Sequence, residues 1–207
     1  LHRKKIFKNI YIQPAAGDAG GALGAAQAAY HIYFDGEREP CEDTDKMKGC
    51  YLGPLFSDKE VEQMNKSTKA SSTRYDEFDN LIEVIAQKIA DGKVIGWFQE
   101  RMEFGPRALG NRSILADARN PDMQKKLNLK IKHREGFRPF APSILSEDST
   151  EFFDLDVDSP YMLLVAPVKE EKRKTLPEDY YNLPLWERLY LKRSNVQSIT
   201  HLDFSAR

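Results

Sequence analysis

The chain has 207 residues, enough for one substantial core or for one domain and part of another. Apolar residues make up 41% and charged residues 30%, and the net charge of −1 makes nucleic acid an unlikely partner through bulk charge and leaves only local patches to examine. No apolar run reaches the length of a membrane span, and Cys41 and Cys50 come with neither a matching pair nor a histidine set; no zinc site or disulfide framework is indicated, and a reducing, cytoplasmic setting is the default.

The opening LHRKKIF has neither an initiator Met nor a signal-peptide apolar region and reads as a cut through a longer protein. Residues 10–13 predict a short strand, and the turn-rich PAAGDAGG leads from it into an alanine-rich helix over about 22–33, a strand–glycine loop–helix unit. The polar stretch 35–53, ending in Gly53-Pro54, reads as a linker and domain edge. Ser57 and Glu60 have capping-box spacing, and Leu81, Ile85 and Ile89, followed by Gly92, predict an amphipathic helix from Asp76. KVIGWF predicts a buried strand that places Trp97 and Phe98 in the core. SILA predicts another strand, and Asn120-Pro121 opens a helix to about Ile131. Beyond the basic loop KHREGFRPF come predicted strands at APSIL, at 161–168 and at VQSITHL, with a charged excursion over 169–182. Strands alternating with helices predict an α/β domain from about residue 57 onward.

Between Gln99 and Arg138 ten Lys or Arg face five acids, a basic island in a neutral chain. Lys125 and Lys126 read as the solvated face of the predicted helix. Arg107, Arg112, Lys132 and Arg138 lie instead in loop-like segments punctuated by Gly and Pro, where forked guanidiniums and compact ammoniums together suit a polyphosphate or acyl phosphate. Gly105 and Gly110 would let backbone N–H groups approach the same anion. A second reading stays open, in which GPRALG is a tight turn whose arginines pair with Glu103 and Asp117 and whose Asn111 caps the turn. Neither a P-loop nor a Rossmann glycine fingerprint is present.

The run WFQERMEFGPRALGNRSILADARNP, followed by KIKHREGFRPFAPSIL and the terminal THLDFSAR, closely resembles the carboxy-terminal region of O-carbamoyltransferases, the family that tailors nodulation factors and antibiotics. QPAAGDAGGALGAA resembles the end of that family's preceding domain, which has an actin-like ATPase fold. The resemblance implies an α/β, YrdC-like twisted mixed sheet with helices over 53–207, incomplete at its carboxy terminus, preceded over 1–52 by a remnant of the actin-like domain and a linker. It implies a basic cavity for ATP and carbamoyl phosphate that makes carbamoyl adenylate, which the actin-like domain passes to an acceptor hydroxyl.

By the same resemblance Arg107, Arg112, Lys132 and Arg138 hold the phosphates, and Gly105, Gly110, Asn111, Ser113, His201, Asp203 and Arg207 surround the nucleotide. Asp18 becomes one ligand of iron or another divalent metal, whose histidine partners come from earlier in the actin-like domain. For His201 a purely structural role is an equal alternative. This chain has Phe204 where members of the family that it resembles usually have Gly, at a point of implied close backbone approach. The implied partners are the two ligands and the missing amino-terminal domain, with a homodimer left open. A nucleotide- or RNA-binding module without catalysis is the rival reading.

Overall fold

The computed structural model describes residues 1–8, 10–39 and 45–207. Cys41 lies outside the described residues. Several helix boundaries follow from local chemistry. The Ser57 hydroxyl accepts the Glu60 N–H while the Glu60 carboxylate accepts the Ser57 N–H at 2.8 Å, and this reciprocal box starts α2 (Asp58–Thr68). α3 (Phe78–Ala90) turns Leu81, Val84, Ile85 and Ile89 to one half-buried face, and Gly92, at φ +74°, follows its end as the sequence predicts. The alanine-rich helix α1 (Asp18–Ala28) begins earlier than expected, directly after Gly17 at φ 146°, and runs on into a π-helical turn, Ala29–Tyr33. The helix expected from Pro121 is short: α4 (Met123–Lys126) continues as a π-helical turn, Leu127–Ile131. Asn120 still serves its start, since its side chain accepts the Asp122 N–H at 3.0 Å.

The sheets are small. β1 (Ile95–Phe98) pairs with β2 (Arg112–Leu115), and β3 (Ala166–Pro167) pairs antiparallel with β4 (Ser205–Ala206), setting Ala166 opposite Ala206. Of the predicted strand 161–168 only this short ladder and an isolated antiparallel bridge from Val168 to Phe153 form. The strands expected at 10–13, at APSIL and at VQSITHL do not form; the last contains a 3-10 turn, Gln197–Ile199. Trp97 is half-buried rather than fully enclosed, and Phe98, placed in the core by the sequence, is 55% exposed beside Phe56, with ring centroids 6.0 Å apart.

The chain divides into two units, Leu1–Ala70 with Phe98–Ser113 and Pro160–Leu163, and Ser71–Trp97 with Ile114–Ser159 and Leu164–Arg207. In the second, Phe153, Ala166, Val168, Ile199 and Ala206 form the core, packed against by Phe140, Phe152, Leu155 and Val196. The architecture is mixed α/β with small sheets. α5 (Ser149–Phe152) and α6 (Leu185–Tyr190) complete its helices of more than one turn among the described residues. No helix among them is long and apolar enough to cross a membrane.

Candidate anion-binding site

In the first unit, the motif MEFGPRALGNRS is laid against a segment that the sequence presents as linker. Gly53 N–H donates to Met102 O and Met102 N–H to Pro54 O, both at 2.9 Å, while Phe104 N–H donates to Cys50 O at 2.6 Å. A side chain at Gly53 would bring its Cβ to 2.8 Å from Met102 O, so Gly is needed for the close approach. Gly105 is constrained twice: its φ is 104°, and a Cβ there would stand 2.9 Å from the Cβ of buried Ala15. The early PAAGDAGG segment therefore adjoins the arginine motif.

Glu103 organises the loop. Its side chain is fully enclosed, and its Oε1 accepts the backbone N–H groups of Leu109, Asn111 and Arg112 at 2.7, 2.9 and 3.1 Å. Its Oε2 accepts Arg112 Nε–H at 2.9 Å, and its main-chain carbonyl accepts Arg112 Nη2–H at 3.3 Å. Burial alone would raise the carboxyl pKa, but the bonds from Leu109 N–H and the Arg112 guanidinium hold it at about 2, so the group is ionised at neutral pH. Asn111 donates its amide to Arg101 O at 2.7 Å, Gly110 N–H donates to Ser113 Oγ at 3.2 Å, and Tyr51 O–H donates to Leu109 O at 2.8 Å.

This amends the expectation for the glycines. The N–H groups of 109–112 are spent on internal acceptors, so at this end of the loop Gly110 and Asn111 offer no backbone donor to a ligand. What faces outward is the tip: Arg107 is exposed, and the Arg112 side chain, one third exposed, keeps Nη1 without a protein acceptor among the described residues. Of the open alternative in which the turn's arginines pair with Glu103 and Asp117, the Glu103 pair forms, with Arg112, whereas Asp117 pairs with Arg119 beyond the turn at 2.9 Å.

The second unit holds the other basic candidates. Gln124 and Asn128 are buried on consecutive turns and donate their side-chain amides to the basic loop: Gln124 to Phe137 O and Arg138 O at 3.3 and 3.2 Å, Asn128 to Gly136 O and Arg138 O at 3.1 and 2.9 Å. Asn128 Oδ1 accepts Arg134 Nε–H at 2.7 Å, and that guanidinium lies 5.0 Å from the Phe140 ring centroid. Arg138 is exposed and paired with Glu135 at 2.8 Å, and Lys132 is exposed. Lys126, read as mere solvated face, reaches Gly92 O at 2.7 Å.

At the carboxy-terminal end Arg207 Nη2 bonds Asp203 Oδ2 at 3.0 Å and approaches His201 Nδ1 at 3.5 Å. Burial and the neighbouring Arg207 charge lower the His201 pKa, so the ring is neutral at pH 7 and its Nδ1, 3.4 Å from Asp203 Oδ1, makes no ion pair with that carboxylate. Burial would raise the Asp203 pKa, yet the bonds from Ser205 and the charge of Arg207 bring it to about 2. Phe204 adopts φ 60°, the left-handed backbone that Gly takes without strain, and Arg173 covers its ring at 5.0 Å. Arg193, which sequence reasoning did not single out, is fully buried; it donates to the carbonyls of Arg188, Leu189, Leu191 and Thr200, and so seats the segment leading to His201.

Asp18 stands exposed in the first turn of α1. Among the described residues no three His, Cys, Asp or Glu side chains gather as a metal site. Asp18 alone does not make one.

Comparison with known proteins places these features in a family. Residues 86–207 match the model of the carbamoyltransferase carboxy terminus. The chain is 51% identical, over its whole length, to an uncharacterised Synechocystis protein of which it covers 34%. It is 46% identical over 85% of its length to the Sinorhizobium fredii nodulation protein NolNO, covering 26% of that protein. It is 31% identical over 97% of its length to the 3'-hydroxymethylcephem-O-carbamoyltransferase of Streptomyces clavuligerus, covering 31% of that enzyme. The chain belongs to the carbamoyltransferase family, and it spans about a quarter to a third of the length of these relatives.

Proposed function

We propose that this chain carries the carbamoyl-activating part of an O-carbamoyltransferase, in a YrdC-like domain that uses ATP to turn carbamoyl phosphate into carbamoyl adenylate. The observation that carries the reading is the loop of Arg107 and Arg112, whose inner N–H groups are saturated by Glu103 while guanidinium edges remain for a ligand. Such a loop offers positive charge in a fixed place, the requirement for adenylyl transfer, where charge spreads over phosphate oxygens in the transition state. The reaction balances if water takes the phosphoryl group of carbamoyl phosphate, leaving carbamate and orthophosphate. A carbamate oxygen then attacks the α-phosphate of ATP and pyrophosphate leaves.

In this reading Arg107 and Arg112 grip one part of the polyphosphate, and Lys132, Arg138 and Arg207 supply further cations. His201, held neutral, accepts or donates a hydrogen bond without adding charge. Transfer to an acceptor hydroxyl, and any metal that Asp18 helps to bind, belong to an actin-like part largely outside this chain. The test is exchange of labelled pyrophosphate into ATP: exchange that depends on carbamoyl phosphate is expected. ATP binding by calorimetry with no exchange would favour a binding module instead.

A further inference from the structure

We infer that Glu103 is a positioning residue for the anion site: it acts through Arg112, fixing which edge of that guanidinium faces the ligand. The inference rests on the proposed anion-binding role of Arg112. A free arginine side chain samples many rotamers and loses that freedom when it binds phosphate. Here Glu103 has removed the freedom in advance. Oε2 holds Nε at 2.9 Å and the Glu103 carbonyl holds Nη2 at 3.3 Å, so one edge of the planar fork faces inward and Nη1 is directed away from it. The backbone of Arg112 is fixed by the same carboxylate, because Oε1 accepts its N–H together with those of Leu109 and Asn111. One buried side chain thus sets both the main-chain and side-chain positions of the arginine.

Glu103 also consumes donors that would otherwise form an inward-facing anion cradle. An anion is thereby kept from settling at the base of the loop, and binding is displaced to the tip, where Arg107 is exposed and the N–H groups of Gly105, Arg107 and Ala108 have no internal acceptor among the described residues. The groups facing the carboxylate are the Arg112 guanidinium, the N–H groups named above, and more distantly the Cys50 thiol and Tyr51 phenol, whose pKa values are raised by burial and, in part, by Glu103 itself.

Glu103→Gln separates the two tasks. Three N–H groups converge where Oε1 stands, so the amide oxygen of Gln occupies that position and keeps the loop. The amide nitrogen then confronts Arg112 Nε–H, donor against donor, and the guanidinium is released. The experiment measures ATP affinity by calorimetry for the wild-type chain, Arg112→Ala, Glu103→Gln and the double variant, with hydrogen exchange of the Leu109 and Asn111 amides followed alongside. Arg112→Ala is expected to bind about tenfold more weakly, consistent with the loss of a charge-assisted hydrogen bond. Glu103→Gln is expected to bind several-fold more weakly with those amides still protected. The double variant should bind no more weakly than Arg112→Ala, since a residue acting through Arg112 has nothing left to act on.

Wild-type affinity in Glu103→Gln, or losses that multiply in the double variant, overturns the role of Glu103 while leaving the anion site standing. Wild-type affinity in Arg112→Ala overturns the anion-site reading and this inference with it. Should Glu103→Gln fail to fold, Arg112→Lys carries the test: an ammonium captured by Glu103 cannot also reach ATP, so affinity falls to that of Arg112→Ala. ATP binding by Arg112→Lys at wild-type strength overturns the inference.

Discussion

Two basic loops in this chain are held in place by opposite chemical means. The loop ending at Arg112 closes around an ionised carboxylate, Glu103, which gathers main-chain N–H groups and one guanidinium. The loop of Arg134 to Arg138 closes around neutral amides, Gln124 and Asn128, which gather main-chain carbonyls. A carboxylate accepts only, so it draws N–H groups inward. An amide can also donate, and here it ties carbonyls down while Asn128 Oδ1 still accepts the Arg134 Nε–H. The first anchor makes loop geometry depend on a charge, whereas the second holds through any pH at which the protein is folded. In both loops one arginine is fixed and another lies at the surface: Arg112 beside Arg107, and Arg134 beside Arg138, which is held only by an exposed pair with Glu135.

The difference is best broken at Glu103. A carboxyl pKa lowered from 4.5 to about 2 contributes roughly 3 kcal/mol of stability. Because the folded-state pKa is the depressed one, this contribution is complete above about pH 4.5 and is lost as pH falls toward 2. Denaturant titrations of the wild-type chain between pH 6 and 3 should show that loss, and Glu103→Ala should be less stable at pH 6 by a similar amount, with a shallower acid dependence. Equal slopes for the two proteins would mean that the carboxylate is not the anchor.

At the second loop the corresponding change is Asn128→Ala, which strips donors from Gly136 O and Arg138 O and the acceptor from Arg134. About 2 kcal/mol is expected, since buried groups lose their partners. The loss relative to wild type should be the same at pH 6 and pH 4, and trypsin should cut after Arg134 faster than in the wild type. A pH-dependent loss would erase the contrast between the loops. Within the same loop, Arg134→Met should cost about 1 kcal/mol through its Asn128 bond and its place over Phe140. Arg138→Ala should leave the denaturation midpoint in place while weakening ATP binding, which divides scaffold arginine from ligand arginine.

The sequence made the loops visible but not their anchors. Gly105, Gly110 and the arginines announce a constrained cationic turn through residue type and spacing. Glu103 could be read as a pairing partner for the turn's arginines, but nothing in a single sequence marks it as a carboxylate that ends up enclosed and gathers main-chain N–H groups. Gln124, Asn128 and Arg193 were equally hidden, because burial of polar residues is a property of packing. Local signals were read well where the chemistry is local: the Ser57–Glu60 box and the apolar period of α3 both appear where expected. Strand signals failed where a ladder needs a distant partner. The apolar run 161–168 forms a ladder only at Ala166–Pro167, through a partner nearly forty residues on, and otherwise contributes one isolated bridge from Val168 to Phe153. The family resemblance was legible because its motifs are long, and the match over 86–207 bears it out.

The smallest effect is expected at Phe204, and it gives the comparison a third case: a turn beside basic residues whose conformation is held against local backbone preference. Phe204 sits at φ 60°, its N–H donates to His201 O at 3.0 Å, and its carbonyl accepts Val168 N–H at 2.8 Å. A non-glycine residue in this region costs on the order of 1–2 kcal/mol, and Phe204→Gly would recover much of that. The same change frees the unfolded chain, costing roughly 0.5–1 kcal/mol, and removes the ring beneath Arg173, worth about 0.5–1 kcal/mol. These effects nearly cancel, so the denaturation midpoint should move little. The dissection comes from Phe204→Ala, which keeps the backbone cost and loses the ring: it should be less stable than Phe204→Gly by about 1 kcal/mol. If Ala and Gly prove equally stable there, the turn is not strained, and the left-handed φ of Phe204 carries no cost to the fold.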